Sequence, residues 1–405
     1  MLKYLKGRSI GYVLSFLAVS PLALIFWIAI EITNILRPVF IVGLSYKGRI
    51  THYMRPMELH LRNANQLNKK YLMFFVMPAA TPNEAVRTVY RRYSIIVDSH
   101  FPNFIRRAFS ILAELLKFRF TPELPGWQDL WQLEPATTLT DDELKFGDEL
   151  CQKLGIPKDA QYVCLGVKEA AYYASITPEK GYGQDLRHEA IDSRNVDIKN
   201  YLQAATHLAN IGIYVVRVGS VVNSPLPKDR HPMIIDYSTT NRSELGDIVL
   251  GANCRFFICG ASGSYSFAAI WNRPIAYADH YFENDNSSSK IRLDQLPNSI
   301  LISRLYSDQN NELLSFNKII NLNTLLLDDQ TLRSLKVSPI SNSPDEILEL
   351  VSEMNLRLDC SFDTSSDNDD LQDKFYNCFN PPIRWREYPL MRVSGSFLRK
   401  YQDLL

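Results

Sequence analysis

Residues 255–274, RFFICGASGSYSFAAIWNRP, contain the pattern with the clearest chemical meaning. A hydrophobic run leads into a Gly-Ala-Ser-Gly-Ser turn, and small residues of helical character follow it. Small residues let backbone N–H groups approach a ligand, and the start of a helix adds partial positive charge, so a diphosphate suits this pattern. The candidate ligand-binding residues are Gly260, Ser262, Gly263 and Ser264. A tight strand-to-helix turn whose glycines serve geometry alone remains the alternative, and the spacing is not the GxGxxG of dinucleotide-binding proteins.

Basic side chains near predicted strand ends form a second group of candidates. Lys168 and Arg217 each follow a hydrophobic run, Gly219 comes directly after Val218, and Arg194 precedes a predicted helix. Ligands of open α/β sheets gather at the carboxyl ends of the strands, so these residues are candidates for binding the same anion. Exposed charges that bind no ligand would give the same pattern.

Three residues are candidates for a general base. His52 ends the predicted loop 46–52 between the first strand and the first helix, and imidazole titrates near neutral pH. Glu58 and His280 are the fallback candidates, and His280 follows the predicted strand 274–277. A helix-capping or merely exposed histidine explains His52 equally well.

The elements that must position these residues alternate between short β-branched runs and longer amphipathic stretches, which predicts βαβ units with parallel sheets. In the first half we predict strands at 39–44, 71–77 and 94–97 and helices at 53–61, 82–91 and 103–118. In the second half we predict strands at 161–167, 213–218, 233–236, 255–259 and 274–277 and helices at 140–154, 197–210, 243–250 and 264–271. Thr140 and Glu143 predict a capping box, and Gly155 ends that helix. The polar stretch 169–194 is predicted to be a long loop that faces a site.

The chain of 405 residues is long enough for two α/β domains and a terminal segment. We predict an N-terminal membrane anchor at 1–36 and two Rossmann-like domains at 37–138 and 139–340, divided by a Pro- and Trp-containing linker. Predicted helices at 344–356, 371–379 and 395–404 give a C-terminal helical tail at 341–405.

The anchor is predicted from residues 10–30, which carry no charged side chain. A helix of that length spans about 32 Å, close to the thickness of a bilayer core. Lys3, Lys6 and Arg8 precede it, as expected for a membrane segment. Because Pro21 interrupts the run, a helix lying along a membrane or in a hydrophobic groove is an alternative, and a cleaved signal peptide is another.

Charge and cysteine content limit the partners and the compartment. Lys plus Arg and Asp plus Glu are equal at 44 each, so no global field attracts nucleic acid. The six cysteines fit no zinc-ligand spacing and are typical of buried thiols in a reducing compartment. We therefore expect the soluble body to lie on the cytoplasmic side of the inner membrane.

The segment 197–220, DIKNYLQAATHLANIGIYVVRVGS, together with 255–274, resembles a glycosyltransferase family of bacterial surface-polysaccharide and lipopolysaccharide gene clusters. The similarity runs from about Ile41 to Ser-Gly-Ser-Phe-Leu near the C-terminus and is most specific between Arg194 and Pro274. The resemblance implies the twin-Rossmann GT-B fold, with donor phosphates bound by the turn and by a basic residue at a strand end. Where the family pattern has an Arg-Asp pair, this chain has Lys168-Glu169, which loses the planar fork of arginine.

The hypothesis from the sequence is a metal-independent glycosyltransferase without a cofactor. It would move a sugar from a nucleotide-diphosphate donor to a saccharide or lipid-linked acceptor in surface-polysaccharide synthesis. Asp367-Asn368-Asp369 matches the DxD motif of metal-dependent transferases, but its Ser/Asp-rich surroundings indicate a solvated loop and helix cap. The alternatives are a sugar-nucleotide epimerase or hydrolase of the same fold and a non-catalytic, membrane-bound assembly factor.

Overall fold

The computed structural model describes residues 10–44, 50–77, 81–98, 101–116, 131–175, 195–281, 296, 298–322, 329–363, 369–379, 382, 385–387 and 391–405. The chain divides into two compact units. The N-terminal unit comprises Met1–Leu130, Pro135–Thr138 and Lys180–Tyr182, and the C-terminal unit comprises Trp131–Glu134, Leu139–Glu179 and Gly183–Leu405. Both contain parallel sheets with helices, so the predicted α/β class is confirmed.

The N-terminal unit is built on a three-stranded parallel sheet in the order β1-β2-β3. Its strands are β1 (Val39–Gly43), β2 (Leu72–Val76) and β3 (Ile95–Val97). Its helices are α1 (Ile10–Leu36), α2 (Thr51–Asn65), α3 (Glu84–Arg91) and α4 (Asn103–Leu116). Alternating residues of β2 point to opposite faces: Phe74 stacks on Phe109 of α4, while Phe75 contacts the ring of His60 in α2.

Helix α1 packs against this sheet instead of standing apart from it. Ala23 and Ile30 are buried in one apolar cluster with Ile41 of β1 and with Phe109 and Leu112 of α4. The segment Ala18–Leu36, with a mean hydropathy of 1.9, is long and apolar enough to cross a bilayer. Pro21 lies inside the helix without ending it, so the predicted break does not occur.

The C-terminal unit is built on a seven-stranded parallel sheet in the order β12-β9-β8-β7-β4-β5-β6. Its strands are β4 (Tyr162–Val167), β5 (Tyr214–Arg217), β6 (Ile234–Ile235), β7 (Phe257–Gly260), β8 (Ile275–His280), β9 (Ile300–Ser303) and β12 (Arg392–Val393). A separate antiparallel ribbon pairs β10 (Leu305–Ser307) with β11 (Ser338–Ile340).

The helices of this unit connect and cover the strands. They are α5 (Asp141–Lys153), α6 (Ala170–Ser175), α7 (Leu202–Asn210), α8 (Tyr237–Thr240), α9 (Glu244–Asn253), α10 (Ser266–Ala269), α11 (Phe316–Asn321), α12 (Asp329–Leu335), α13 (Pro344–Leu358), α14 (Asp369–Asn377) and α15 (Gly395–Lys400). The predicted capping box of α5 is confirmed, because Thr140 N donates to Glu143 Oε2 at 2.8 Å and Glu143 N donates to Thr140 Oγ1 at 3.3 Å.

Four predictions from the sequence differ from the structure. The stretch 169–194 starts with helix α6, because Ala170–Ser175 has enough helix-forming residues for a short turn. Strand β8 extends to His280, because the polar Asp279 is buried and paired inside the sheet. A single helix at 264–271 is replaced by a 3₁₀ turn and the short α10. The tail belongs to the C-terminal unit, since β12 pairs with β9 and α13 packs on α7.

Candidate functional site

The central strands of the seven-stranded sheet bring most of the predicted ligand-binding residues to one edge. Because β4, β5, β7 and β8 are parallel neighbours, their carboxyl ends share that edge. Leu165 is in register with Arg217, and Gly260 is in register with both Val167 and Ala278. The residues assembled there are Lys168, Arg217, Gly219, Gly260, Ser262, Gly263, Ser264 and His280. This is the edge at which open α/β sheets bind ligands.

The turn after β7 has a defined conformation with two hydroxyl groups side by side. Ala261 adopts a φ of 54°, which redirects the chain out of the strand. Ser264 N donates to Ser262 Oγ at 3.3 Å, and the two hydroxyl oxygens lie 2.9 Å apart. A 3₁₀ turn, Gly263–Tyr265, leads directly into α10. The turn therefore presents hydroxyl groups and the first N–H groups of a helical segment at the edge of the sheet.

Two glycines of the sheet allow the turn and a tyrosine to approach closely. A Cβ at Gly166 in β4 would overlap Ser264 Oγ, so a larger residue there would displace the turn. A Cβ at Gly260 would overlap the hydroxyl of Tyr201. Close approach, not a positive φ, is therefore what requires these two glycines.

Arg217 is the centre of a buried ion network on one side of the turn. Its Nη2 donates to Glu169 Oε2 at 2.7 Å, and its Nη1 donates to Ser224 O at 2.8 Å and to Asp236 Oδ1 at 3.4 Å. The Arg217 side chain is only 1% exposed. Asp236 also accepts from Leu226 N at 2.8 Å. The guanidinium is thus held by two carboxylates and joins the ends of β4, β5 and β6.

A second buried network lies at the ends of β8 and β9. Asp279, fully buried with a φ of 53°, accepts hydrogen bonds from Tyr201 Oη at 2.8 Å and from Arg304 Nε at 3.1 Å. Its carboxylate also accepts from Asn342 N at 3.1 Å. Burial, followed by the adjacent Asp279 charge, raises the pKa of Tyr201 well above its ordinary value, so this phenol stays a donor. The network fixes Tyr201 against Gly260 and the turn.

Lys168 and His280 occupy buried positions at the same edge. Lys168 N donates to Gly260 O at 2.8 Å, and Lys168 O accepts from Val196 N at 2.9 Å, which ties the end of β4 to β7. The ring of His280 packs edge-on to Tyr277 with their centroids 4.7 Å apart. His280 O also accepts from Arg304 N at 3.0 Å, so His280 is the last residue of β8, whereas the sequence predicted that it follows the strand 274–277.

Glu58 in the N-terminal unit is a structural carboxylate. One oxygen accepts from Arg62 Nε at 2.8 Å and Ala136 N at 2.7 Å. The other accepts from Tyr90 Oη at 3.1 Å and Thr137 Oγ1 at 3.2 Å. These bonds hold the linker residues against α2 and α3, and they use the lone pairs that a general base would need. The geometry therefore speaks against Glu58 as the base.

The remaining predicted residues are placed only in part. The backbone of His52 lies in the first turn of α2, and its side chain is outside the described residues. Arg194 is also outside them, as are the first two residues of the DxD match. Asp369, the third, accepts from Arg392 at 2.7 Å and from Arg386 at 3.4 Å. Within the part of the chain that the structure describes, no cluster of three or more His, Cys, Asp or Glu could hold a metal ion.

The carboxylates that hold these basic side chains, and the residues that bind Asp279, were not predicted from the sequence. The usable signal was a charged residue at the end of a strand or directly after it, a pattern that occurs at Arg217, Asp236 and Arg304. Tyr201 and Asn342 gave no such signal, because each reaches Asp279 from a different helix or loop.

Comparisons with known proteins return similar solved structures only. No family model matches the chain, and no curated protein matches it. The crystal structure of the glycosyl transferase family 9 from Veillonella parvula DSM 2008 is 12% identical, with a TM-score of 0.44 over 79% of this chain and 98% of that one. The E. coli ADP-heptose lps heptosyltransferase II is 14% identical, with a TM-score of 0.37 over 80% and 99%.

Proposed function

We propose that this chain is a glycosyltransferase of bacterial surface-polysaccharide synthesis. It would use a nucleotide-diphosphate sugar as donor and a saccharide or lipid-linked molecule as acceptor. The observation that carries the proposal is the turn from Gly260 to Ser264, with its paired hydroxyls, at the carboxyl edge of a parallel sheet. The resemblance of segments 197–220 and 255–274 to a glycosyltransferase family supports the same activity.

In this proposal the donor diphosphate lies against the turn. Ser262, Ser264 and the N–H groups that begin the 3₁₀ turn would donate hydrogen bonds to its oxygens. Lys168 would add positive charge from the end of β4. The leaving diphosphate would then be stabilised by preorganised donors without a metal ion, which is the GT-B mode of action. His52 remains the candidate base for the acceptor hydroxyl.

Arg217 has a different part in this proposal from the one the sequence suggested. Two buried carboxylates neutralise it, so it would position the ends of β4 and β5 instead of contacting phosphate. Gly219, two residues after Arg217, would likewise serve the structure of this strand end instead of contacting phosphate. The donor site would therefore depend on hydroxyl and N–H donors more than on an arginine fork.

The second candidate function is a non-catalytic assembly factor that keeps a nucleotide-binding fold. The neutralised Arg217 favours it, because this basic residue at a strand end is occupied by the protein itself. An epimerase or hydrolase of the same fold is distinguished by acting on the sugar nucleotide without an acceptor.

Thermal shift of the full-length protein in detergent, screened against UDP, GDP, CMP, TDP, ADP and NAD, tests the donor site. A ligand at about 100 times its dissociation constant adds roughly 2.7 kcal/mol of stability. Ser262→Ala with Ser264→Ala should weaken the nucleotide affinity about tenfold for each lost charge-assisted hydrogen bond, which lowers the stabilisation by about 1.4 kcal/mol each. Ser334→Ala, an exposed serine of α12, is the matched control.

Three results would contradict the proposal. No shift with any nucleotide in a folded sample would favour the assembly factor. An unchanged shift in the double serine variant would place the nucleotide away from the turn. Conversion of a sugar nucleotide without an acceptor, either to free sugar and nucleotide or to its epimer, would favour the hydrolase or epimerase.

A further inference from the structure

One face of helix α1 is apolar and exposed between Leu24 and Leu36. We call these side chains, which are between 49% and 86% exposed, the apolar ridge: Leu24, Ile25, Ile28, Ile32, Ile35 and Leu36. Positions 24, 28, 32 and 35 recur at helical spacing, so they share one side of the helix. Contiguous apolar surface of this kind marks an interaction site.

The opposite face of α1 is fixed to the N-terminal unit. Phe26 lies 5.2 Å from Phe109 of α4 between ring centroids, and Ala23 and Ile30 are buried beside β1. The C-terminal end of the helix is bonded to β1, because Val39 N donates to Asn34 Oδ1 at 3.0 Å. Only two residues separate α1 from β1, so the helix cannot swing away from the sheet without losing these contacts.

This packing is incompatible with a helix that crosses a bilayer. A spanning α1 would carry the neighbouring β1-β2-β3 sheet into the hydrocarbon. Among the described residues that sheet is open, with β1 and β3 at its edges, and open sheet edges are not tolerated in the hydrocarbon region. A helix that lies in the interface, with its ridge towards the lipid, avoids this conflict.

The charges in the sequence around α1 and α4 indicate which surface covers the ridge. Residues 1–44 carry four basic side chains and one acidic, and residues 101–121, which include α4, also carry four and one. Helix α4 packs alongside α1 and contributes the exposed Phe104, which is 54% exposed. Apolar side chains flanked by an excess of Lys and Arg fit an anionic lipid surface, where each basic residue adds attraction.

We propose that α1 lies along the surface of an anionic phospholipid bilayer, with the apolar ridge among the acyl chains, so that the protein is bound to one leaflet and does not cross it. The proposal concerns attachment alone and is independent of the transferase activity.

Vesicle flotation of the full-length protein tests the attachment. We expect binding to phosphatidylcholine vesicles that contain phosphatidylglycerol and weaker binding to phosphatidylcholine alone. Ile28→Lys with Ile32→Lys should lower the partition coefficient by at least about tenfold, because each change removes an apolar contact and places a charge at the acyl boundary. The matched control is Leu144→Lys with Leu356→Lys, since these leucines are 41% and 43% exposed on the C-terminal unit.

Protease accessibility of N- and C-terminal epitope tags in sealed inner-membrane vesicles tests the orientation. Both tags on the same side of the membrane would support a helix that lies in one leaflet. Tags on opposite sides would overturn the proposal in favour of a spanning helix. Equal vesicle binding by the ridge variant and its control would also overturn it, as would ridge-dependent dimers that bind no lipid. Circular dichroism of each variant excludes misfolding as the cause.

Discussion

Replacing Arg217 with methionine tests whether its guanidinium holds the sheet edge together. The change would leave Glu169 and Asp236 buried without their cation, since their side chains are 3% and 4% exposed. Breaking a buried ion pair by removing one partner costs about 3–5 kcal/mol. For a unit of this size, that loss corresponds to a fall in Tm on the order of 10 °C.

The assay is urea unfolding followed by circular dichroism, with Arg333→Met on the exposed face of α12 as control. The control should change the unfolding free energy by less than about 0.5 kcal/mol. Adding Glu169→Gln and Asp236→Asn to Arg217→Met should recover much of the loss, because the buried negative charges are then removed as well. If Arg217→Met unfolds at the parent's urea midpoint but no longer binds nucleotide, this reasoning is wrong, and Arg217 would be a phosphate-binding residue of the donor site.

Two further predictions concern the C-terminal unit. Burial raises the pKa of Asp247 from 3.8 to about 6 despite its bond to Arg242. The folded state therefore binds this proton more tightly than the unfolded state. The protonated Asp247 contributes about 3 kcal/mol to the unfolding free energy below about pH 4, and this contribution is lost as pH rises through 6. The difference in unfolding free energy between Asp247→Asn and the parent should change across that window, and a pH-independent difference in urea titrations would contradict this. Gly260→Ala should lower the unfolding free energy by about 1–3 kcal/mol, because the new methyl group forces the Tyr201 hydroxyl away. Tyr201→Phe should therefore cost less in the Gly260→Ala background than alone. Additive losses in a double-mutant cycle would exclude contact between the two residues.

Local signals in the sequence predicted much of the fold. The capping box at Thr140 needs only residues three apart, and the alternation of apolar runs located β4, β5 and β7 to within about two residues. The short β9 and β12 were not predicted, because two to four residues give too little periodicity to distinguish a strand from a loop. Pairing with β8 is what makes β9 a strand.

The site was predictable in its residue types but not in its partnerships. Arg217 and Glu169 are separated by 48 residues, and Tyr201 and Asp279 by 78, so no local pattern connects them. A charged residue after an apolar run signals equally a ligand-binding side chain and a buried ion pair. The tertiary structure distinguishes these two roles, because the parallel sheet brings the carboxyl ends of β4, β5, β7 and β8 to one edge and shows which charged side chains pair there.

The two buried networks also give the Lys168-Glu169 pair a physical meaning. An aspartate at position 169 would be shorter by one methylene and would have to move to hold Arg217, which Glu169 reaches at 2.7 Å. The glutamate is therefore matched to an arginine on the neighbouring strand, and the two residues form one structural unit. Because Asp279 likewise pairs with Arg304, charged side chains at strand ends on both sides of the turn are held in buried ion pairs. A preorganised edge of this kind can hold hydroxyl and N–H donors in fixed positions, which is what a site that binds a diphosphate without a metal ion requires.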